Sequence, residues 1–158
     1  MPKVKLDRID RKILADLQED GRMTNVELAQ RAGISAPPCL RRVRALEEAG
    51  VIKGYHADID PGSLGFGITV FAQVGLSNQG ETELKKFEDL ARSWPMVREC
   101  HLVSGEADYI LKIVAEDWDT YQKFLTTHIT TAPNVSHIKS ALGIRVAKYK
   151  PGVPVEAE

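Results

Sequence analysis

The chain has little that would serve covalent, redox or metal chemistry. Its 158 residues include only two cysteines, Cys39 and Cys100, too few for a disulfide framework or a four-cysteine metal cluster. The four histidines, at 56, 101, 128 and 137, form no HExxH motif and no close pair, so no catalytic zinc site is expected. The glycines at 62, 65 and 67 lack the strand-to-helix setting of a phosphate loop. No apolar run approaches the roughly 20 residues that span a bilayer. The start of the chain, MPKVKLDRID, lacks the apolar core of a signal peptide. The expectation is a cytoplasmic protein with no membrane partner, no metal, no cofactor and no catalytic residue.

What remains is a soluble globular composition, 43% hydrophobic and 27% charged, long enough for one ordinary domain or two small ones. The net charge of −1 hides an asymmetry. Residues 1–54 carry 11 Lys/Arg against 8 Asp/Glu, whereas residues 55–158 carry 10 against 14. A basic front and an acidic back suit a chain that presents one end to phosphate.

The front third reads as three helices. Residues 7–20 place Ile9, Ile13 and Leu17 on one stripe, flanked by Leu6 and Leu14, with Asp7 as cap and Asp10 in the first turn. Thr24 and Glu27 form a capping box for the second helix. Gly33 then supplies a turn, where a positive φ costs little. Ser35 is a cap for the third helix, with Pro37 and Pro38 in its first turn. In that helix Leu40, Val43 and Leu46 are expected inward, Arg41, Arg44 and Cys39 off the stripe, and Arg42 at its edge. Two helices around a tight turn, the second rich in arginine, are a usual means of reading a DNA major groove. Arginine donates to guanine or to phosphate, and the short first-turn residues Ser35, Ala36 and Pro37 allow close approach. Asn25 and Lys53 join Cys39, Arg41, Arg42 and Arg44 in the expected DNA-binding set. Residues 51–59 alternate well enough for a strand, with Lys53 in or near a small wing. Residues 1–60 are therefore expected to be a winged helix-turn-helix domain with a hinge strand.

Residues 61–158 follow a different pattern. Strands are expected at 67–76, 97–104, 108–115 and 135–148, and helices at 81–93 and 118–130. The order β-α-β-β-α-β is the ferredoxin-like split βαβ arrangement, so the fold class is α+β. Two helices cover one sheet face. Phe71, Val103, Ile110 and Val114 are candidates for the other, which is expected to be covered by a second copy.

Two segments, IDRKILADLQEDGRMTNVELAQRAGISAPPCLRRVRALEEAGVIKGY and CHLVSGEADYILK, together resemble the leucine-responsive/asparagine-responsive (Lrp/AsnC) bacterial transcription regulators. The resemblance covers the chain from about Leu6 to Lys150. It implies a reader of double-stranded DNA and a sheet domain that oligomerises, as dimers building tetramers or octamers. It also implies an amino-acid effector bound between dimers near the turn Gly105-x-x-Asp108-Tyr109.

The local chemistry accommodates such a ligand. Asp108 offers an acceptor to an ammonium, and turn amides near Gly105 and Ala107 offer donors to a carboxylate. His101, Val103 and Ser104 approach the same turn, and Leu142 and Gly143 would shape a side-chain pocket. Two readings stand for Asp108 and Tyr109: ligand contact, or closing a hairpin and packing. The runner-up function is enzymatic. Sirohaem decarboxylases resemble this two-domain architecture, with His101 and Arg145 as the side chains in question here, but the arginine-bearing third helix favours the regulator.

Overall fold

The computed structural model describes residues 4–156. They form two compact units. The first runs to Asp58 and takes in the segment from Lys148 onward; the second is Ile59–Ala147.

In the first unit the caps decide where helices begin. Helix α1 (Arg8–Glu19) opens on a reciprocal box in which the Asp10 amide donates to Asp7 and the Asp7 amide to Asp10. Helix α2 (Asn25–Ala32) opens on the expected Thr24/Glu27 box and ends at Gly33, whose φ of 73° suits a residue without a Cβ. Helix α3 (Ala36–Glu48) follows Ser35. Ile13, Leu28, Ala29, Cys39 and Leu46 make the core, with Ile9, Leu14 and Leu17 packed around it. Asp16 is the one buried charge among the described residues, held by Lys12 at 2.8 Å and Arg31 at 3.5 Å. The C-terminal segment is tied to α1. The Gln18 side-chain amide donates to the Val153 carbonyl and accepts from its N–H, both at 2.8 Å.

The strand expected over 51–59 does not form: among the described residues no ladder pairs with it, and Tyr55 and Ile59 are exposed. Alternating apolar residues favour extended backbone, but a strand also needs a partner for its amides and carbonyls.

The second unit has the expected β-α-β-β-α-β order. Strand β1 (Ile68–Leu76), helix α4 (Glu81–Ser93), strands β2 (Val97–Leu102) and β3 (Tyr109–Ala115), helix α5 (Trp118–Phe124) and strand β4 (Val135–Leu142) follow in turn. A wider π-type turn continues α5 over Leu125–Ile129. The sheet is antiparallel throughout, in the order β2-β3-β1-β4. Val70, Val74, Tyr109, Leu111 and Ile113 face the helices and are buried with Phe87 and Tyr121. On the other face Phe71 is 44% exposed, and Ile110 and Val114 are half-buried.

Strand β4 is shorter than the 135–148 expected. Leu142 pairs with Val70 and the Gly143 amide reaches Thr69. Strand β1 begins at Ile68, so the chain beyond has almost no partner left. Ile144 and Val146 are accordingly exposed.

Candidate functional site

The buried stripe of α3 is Cys39, Val43 and Leu46, not Leu40, Val43 and Leu46. Cys39 is 0% exposed and Leu46 4%, whereas Leu40 is 38% exposed. A helix turns about 100° per residue. Steps of four and three keep 39, 43 and 46 on one narrow line, whereas repeated steps of three drift around the axis. Cys39 therefore belongs to the core and presents no surface to DNA. This corrects its expected place in the interface.

Arg42 is also placed by that line. It lies beside the buried stripe and turns to α1, 2.7 Å from Asp7 and 2.8 Å from Asp10. Its guanidinium thus binds the two carboxylates that cap α1 and links the two helices. Arg41, Arg44 and Lys53 are exposed, and neither Arg41 nor Arg44 makes an ion pair among the described residues. Ser35 and Pro37 are exposed, and the Ser35 hydroxyl makes no capping bond. Ala36 is half-buried, and its carbonyl accepts from Asn25 Nδ2 at 2.9 Å. Asn25 therefore braces α2 against the start of α3. The face offered outward consists of Ser35, Pro37, Leu40, Arg41 and Arg44.

The second candidate region is the turn between β2 and β3. The Val103 amide donates to the Asp108 carbonyl at 2.8 Å, and Gly105 sits at φ 129°. Ser104, Gly105 and Glu106 are exposed, whereas Ala107 is buried. Asp108 Oδ2 accepts from the Leu76 amide at 2.6 Å and lies 3.4 Å from Gln79 Nε2. One carboxylate oxygen thus caps the end of β1, and Oδ1 makes no hydrogen bond among the described residues. Tyr109 is a core residue. It is 1% exposed, packs at a tilt against Phe87 with ring centroids 4.8 Å apart, and donates its hydroxyl to Glu88 at 2.9 Å. Burial and then the Glu88 bond push its phenol pKa up. Its expected effector contact gives way to packing.

His101 is exposed on the open sheet face, its Nε2 3.0 Å from Glu99. His101 first, and then Lys112, hold the Glu99 carboxyl below its ordinary range. Arg145 is exposed beyond β4.

Leu142 and Gly143 do not join the turn. They sit beside Val70 and Thr69, at the start of β1, whereas Asp108 caps Leu76 at its end. Six residues of strand separate the two places, about 20 Å. An antiparallel β4 sends its end away from the turn, so within one chain the two groups cannot line one pocket.

The start of β4 comes to the turn's end of the sheet instead. Leu76 pairs with Val135, and the His137 ring lies over Gly75, where a Cβ would force the ring aside. Asn134, at φ 70°, accepts from the Asn78 amide and donates to its carbonyl. Gln79, Asn134 and His137 were not singled out by sequence. Gln79 comes to Asp108, whereas Asn134 and His137 meet the same end of β1 from the β4 side, through pairings between distant segments that no local pattern connects.

Comparison with known proteins gives a consistent set of likenesses. A family model described as the Lrp/AsnC ligand binding domain matches residues 69–153, and one described as winged helix-turn-helix DNA-binding matches residues 6–53. A leucine-responsive regulatory protein of Rhizobium meliloti is 52% identical over 146 residues, covering 92% of this chain and 94% of that protein. A Bkd operon transcriptional regulator of Pseudomonas aeruginosa is 42% identical over 150 residues, covering 95% and 98%. Among solved structures, a transcriptional regulator of Neisseria meningitidis in complex with L-Met superimposes with a TM-score of 0.90. It is 34% identical, with 95% and 97% of the two chains covered.

Proposed function

We propose, from the premise that this chain belongs to the Lrp/AsnC family of DNA-binding transcription regulators, a division of labour within it. The outward face of α3 reads a two-fold DNA site in the cytoplasm, with Arg41 and Arg44 as its charged contacts. The open sheet face binds a second copy, and dimers build tetramers or octamers. The turn Val103–Asp108, with the start of β4, receives an amino acid at a boundary between dimers.

The carrying observation is the sorting of the α3 arginines. Arg42 is engaged with Asp7 and Asp10, whereas Arg41 and Arg44 remain outward with no ion pair among the described residues. An extended arginine held clear of carboxylates keeps its donors for phosphate or guanine. For the effector, the free Oδ1 of Asp108 suits an ammonium, and the exposed turn around Gly105 suits a carboxylate. The names of the relatives point to leucine and methionine as first ligands to try.

The test has two arms. Thermal shifts are measured with each of the twenty amino acids, because a ligand that binds only the native state raises its stability. Operator affinity is then measured across salt concentrations for Arg41→Ala and Arg44→Ala. Each is expected to weaken binding and reduce the magnitude of the salt slope by roughly one unit if it contacts phosphate, or to cost roughly 1–3 kcal/mol at one base pair if it contacts guanine. Unchanged affinity in both variants, with melting intact, would sink the DNA assignment. Asp108→Asn is the effector variant of choice. It keeps an oxygen for the Leu76 amide but removes the charge, and it is expected to weaken ammonium binding without loosening β1.

A further inference from the structure

We infer that Leu40 reads bases: its side chain meets the C5-methyl group of a thymine when α3 enters the major groove. This deepens the DNA-reading role proposed above and rests on it.

A lone exposed leucine on a protein surface is ordinary. Leu40 differs in where it stands. It is 38% exposed in a helix that takes Cys39 inward to 0% and Leu46 to 4%. It takes no part in the core of the first unit. At about 100° per residue, Pro37, Leu40, Arg41 and Arg44 share an arc of roughly 100° that leaves out Cys39, Val43 and Leu46. The arc thus sets an apolar pair, Pro37 and Leu40, beside two arginines that make no ion pair among the described residues. Leu40 is also in the first half of α3, and the N-terminal part of a recognition helix is the part that reaches base edges.

The chemistry of the groove selects the occupant. The base edges there present hydrogen-bond donors and acceptors, and the thymine methyl is their apolar feature. A leucine between arginines offers no hydrogen bond to guanine, adenine or cytosine, and would leave their polar edges without water. Against a thymine methyl it excludes water from two apolar groups at once. The arginines then fix the helix in register, and Leu40 discriminates.

The full-length protein is used to select duplexes from a random pool, and each thymine of the selected half-site is replaced in turn by deoxyuridine, which lacks only the methyl group. For the wild-type protein one such replacement is expected to weaken binding roughly fourfold. That is the worth of one buried methylene-sized group, ~0.8 kcal/mol, at 1.4 kcal/mol per tenfold. Leu40→Ala is expected to bind the thymine duplex more weakly and to be indifferent to the same replacement. Its melting temperature reports whether the fold is kept, and the thymine-to-uracil comparison on the wild type needs no variant. Selection of a site with no methyl dependence in the wild type overturns the Leu40 assignment alone, as does a Leu40→Ala protein that keeps the full dependence. A pool that yields no enriched sequence overturns the DNA-reading role itself, and this assignment with it.

Discussion

Arg42 lies with its guanidinium between the Asp7 and Asp10 carboxylates, and its side chain is 33% exposed. Both carboxylates also cap α1, so one cation holds the start of one helix against the flank of another. The Asp7 carboxyl is held below its ordinary range, first by the Asp10 amide and then by Arg42. A lowered folded-state pKa adds stability that is complete above the unfolded value, near ~4. That stability is lost as pH falls through the lowered value. Arg42→Ala is therefore expected to lower the melting temperature of the first unit by roughly 5 °C at neutral pH. The gap between variant and wild type is expected to close as the Asp7 carboxyl protonates. Melting curves followed by circular dichroism over a pH series check this. A variant that melts like the wild type but has lost operator affinity would make Arg42 a DNA contact after all.

At the level of elements, the turn between β2 and β3 depends on a backbone conformation that favours glycine. Gly105 stands at φ 129°, and a Cβ there would meet nothing within 4 Å. Space is free but the backbone conformation is not, so Gly105→Ala is expected to cost about 1–3 kcal/mol through strain alone. Urea unfolding measures it, and a cost near zero would show that the turn relaxes into an ordinary conformation. The elements themselves were largely legible in the sequence. The Thr24/Glu27 box, the Gly33 turn and the alternation of β1 and β3 are local signals, and each marks its element to within a residue or two. Features set by distant partners were not legible. The buried face of α3 is one: a spacing of three points to Leu40, Val43 and Leu46, but at about 100° per residue the line that stays inward is Cys39, Val43 and Leu46. The end of β4 depends on where β1 begins, about 70 residues away in sequence. The pairing of Arg42 with α1, and of Gln18 with the Val153 backbone, joins segments that no local pattern connects.

For the whole molecule the open sheet face is decisive, because α4 and α5 cover only the other side. Phe71 is 44% exposed near the middle of that face, between Lys112 on β3 and Ala141 on β4. Ile110 and Val114 stand on the same side, half-buried. If a second copy covers this face, Phe71 lies in the dry part of a self-complementary contact. Phe71→Asp then places two carboxylates near one another in that contact, and burial of unpaired like charges is costly. In the free chain the same substitution is benign, since the side chain is already partly in water. The expected outcome is a shift to smaller species in sedimentation velocity with the fold retained by circular dichroism. DNA binding is expected to weaken in step. A two-fold operator is held by two linked reading helices, and separating them removes the gain in effective concentration that linkage provides. The amino-acid response is expected to go as well, because a ligand seated between subunits has no complete site on a separated chain. A Phe71→Asp protein that sediments like the wild type would place the subunit contact elsewhere on the chain.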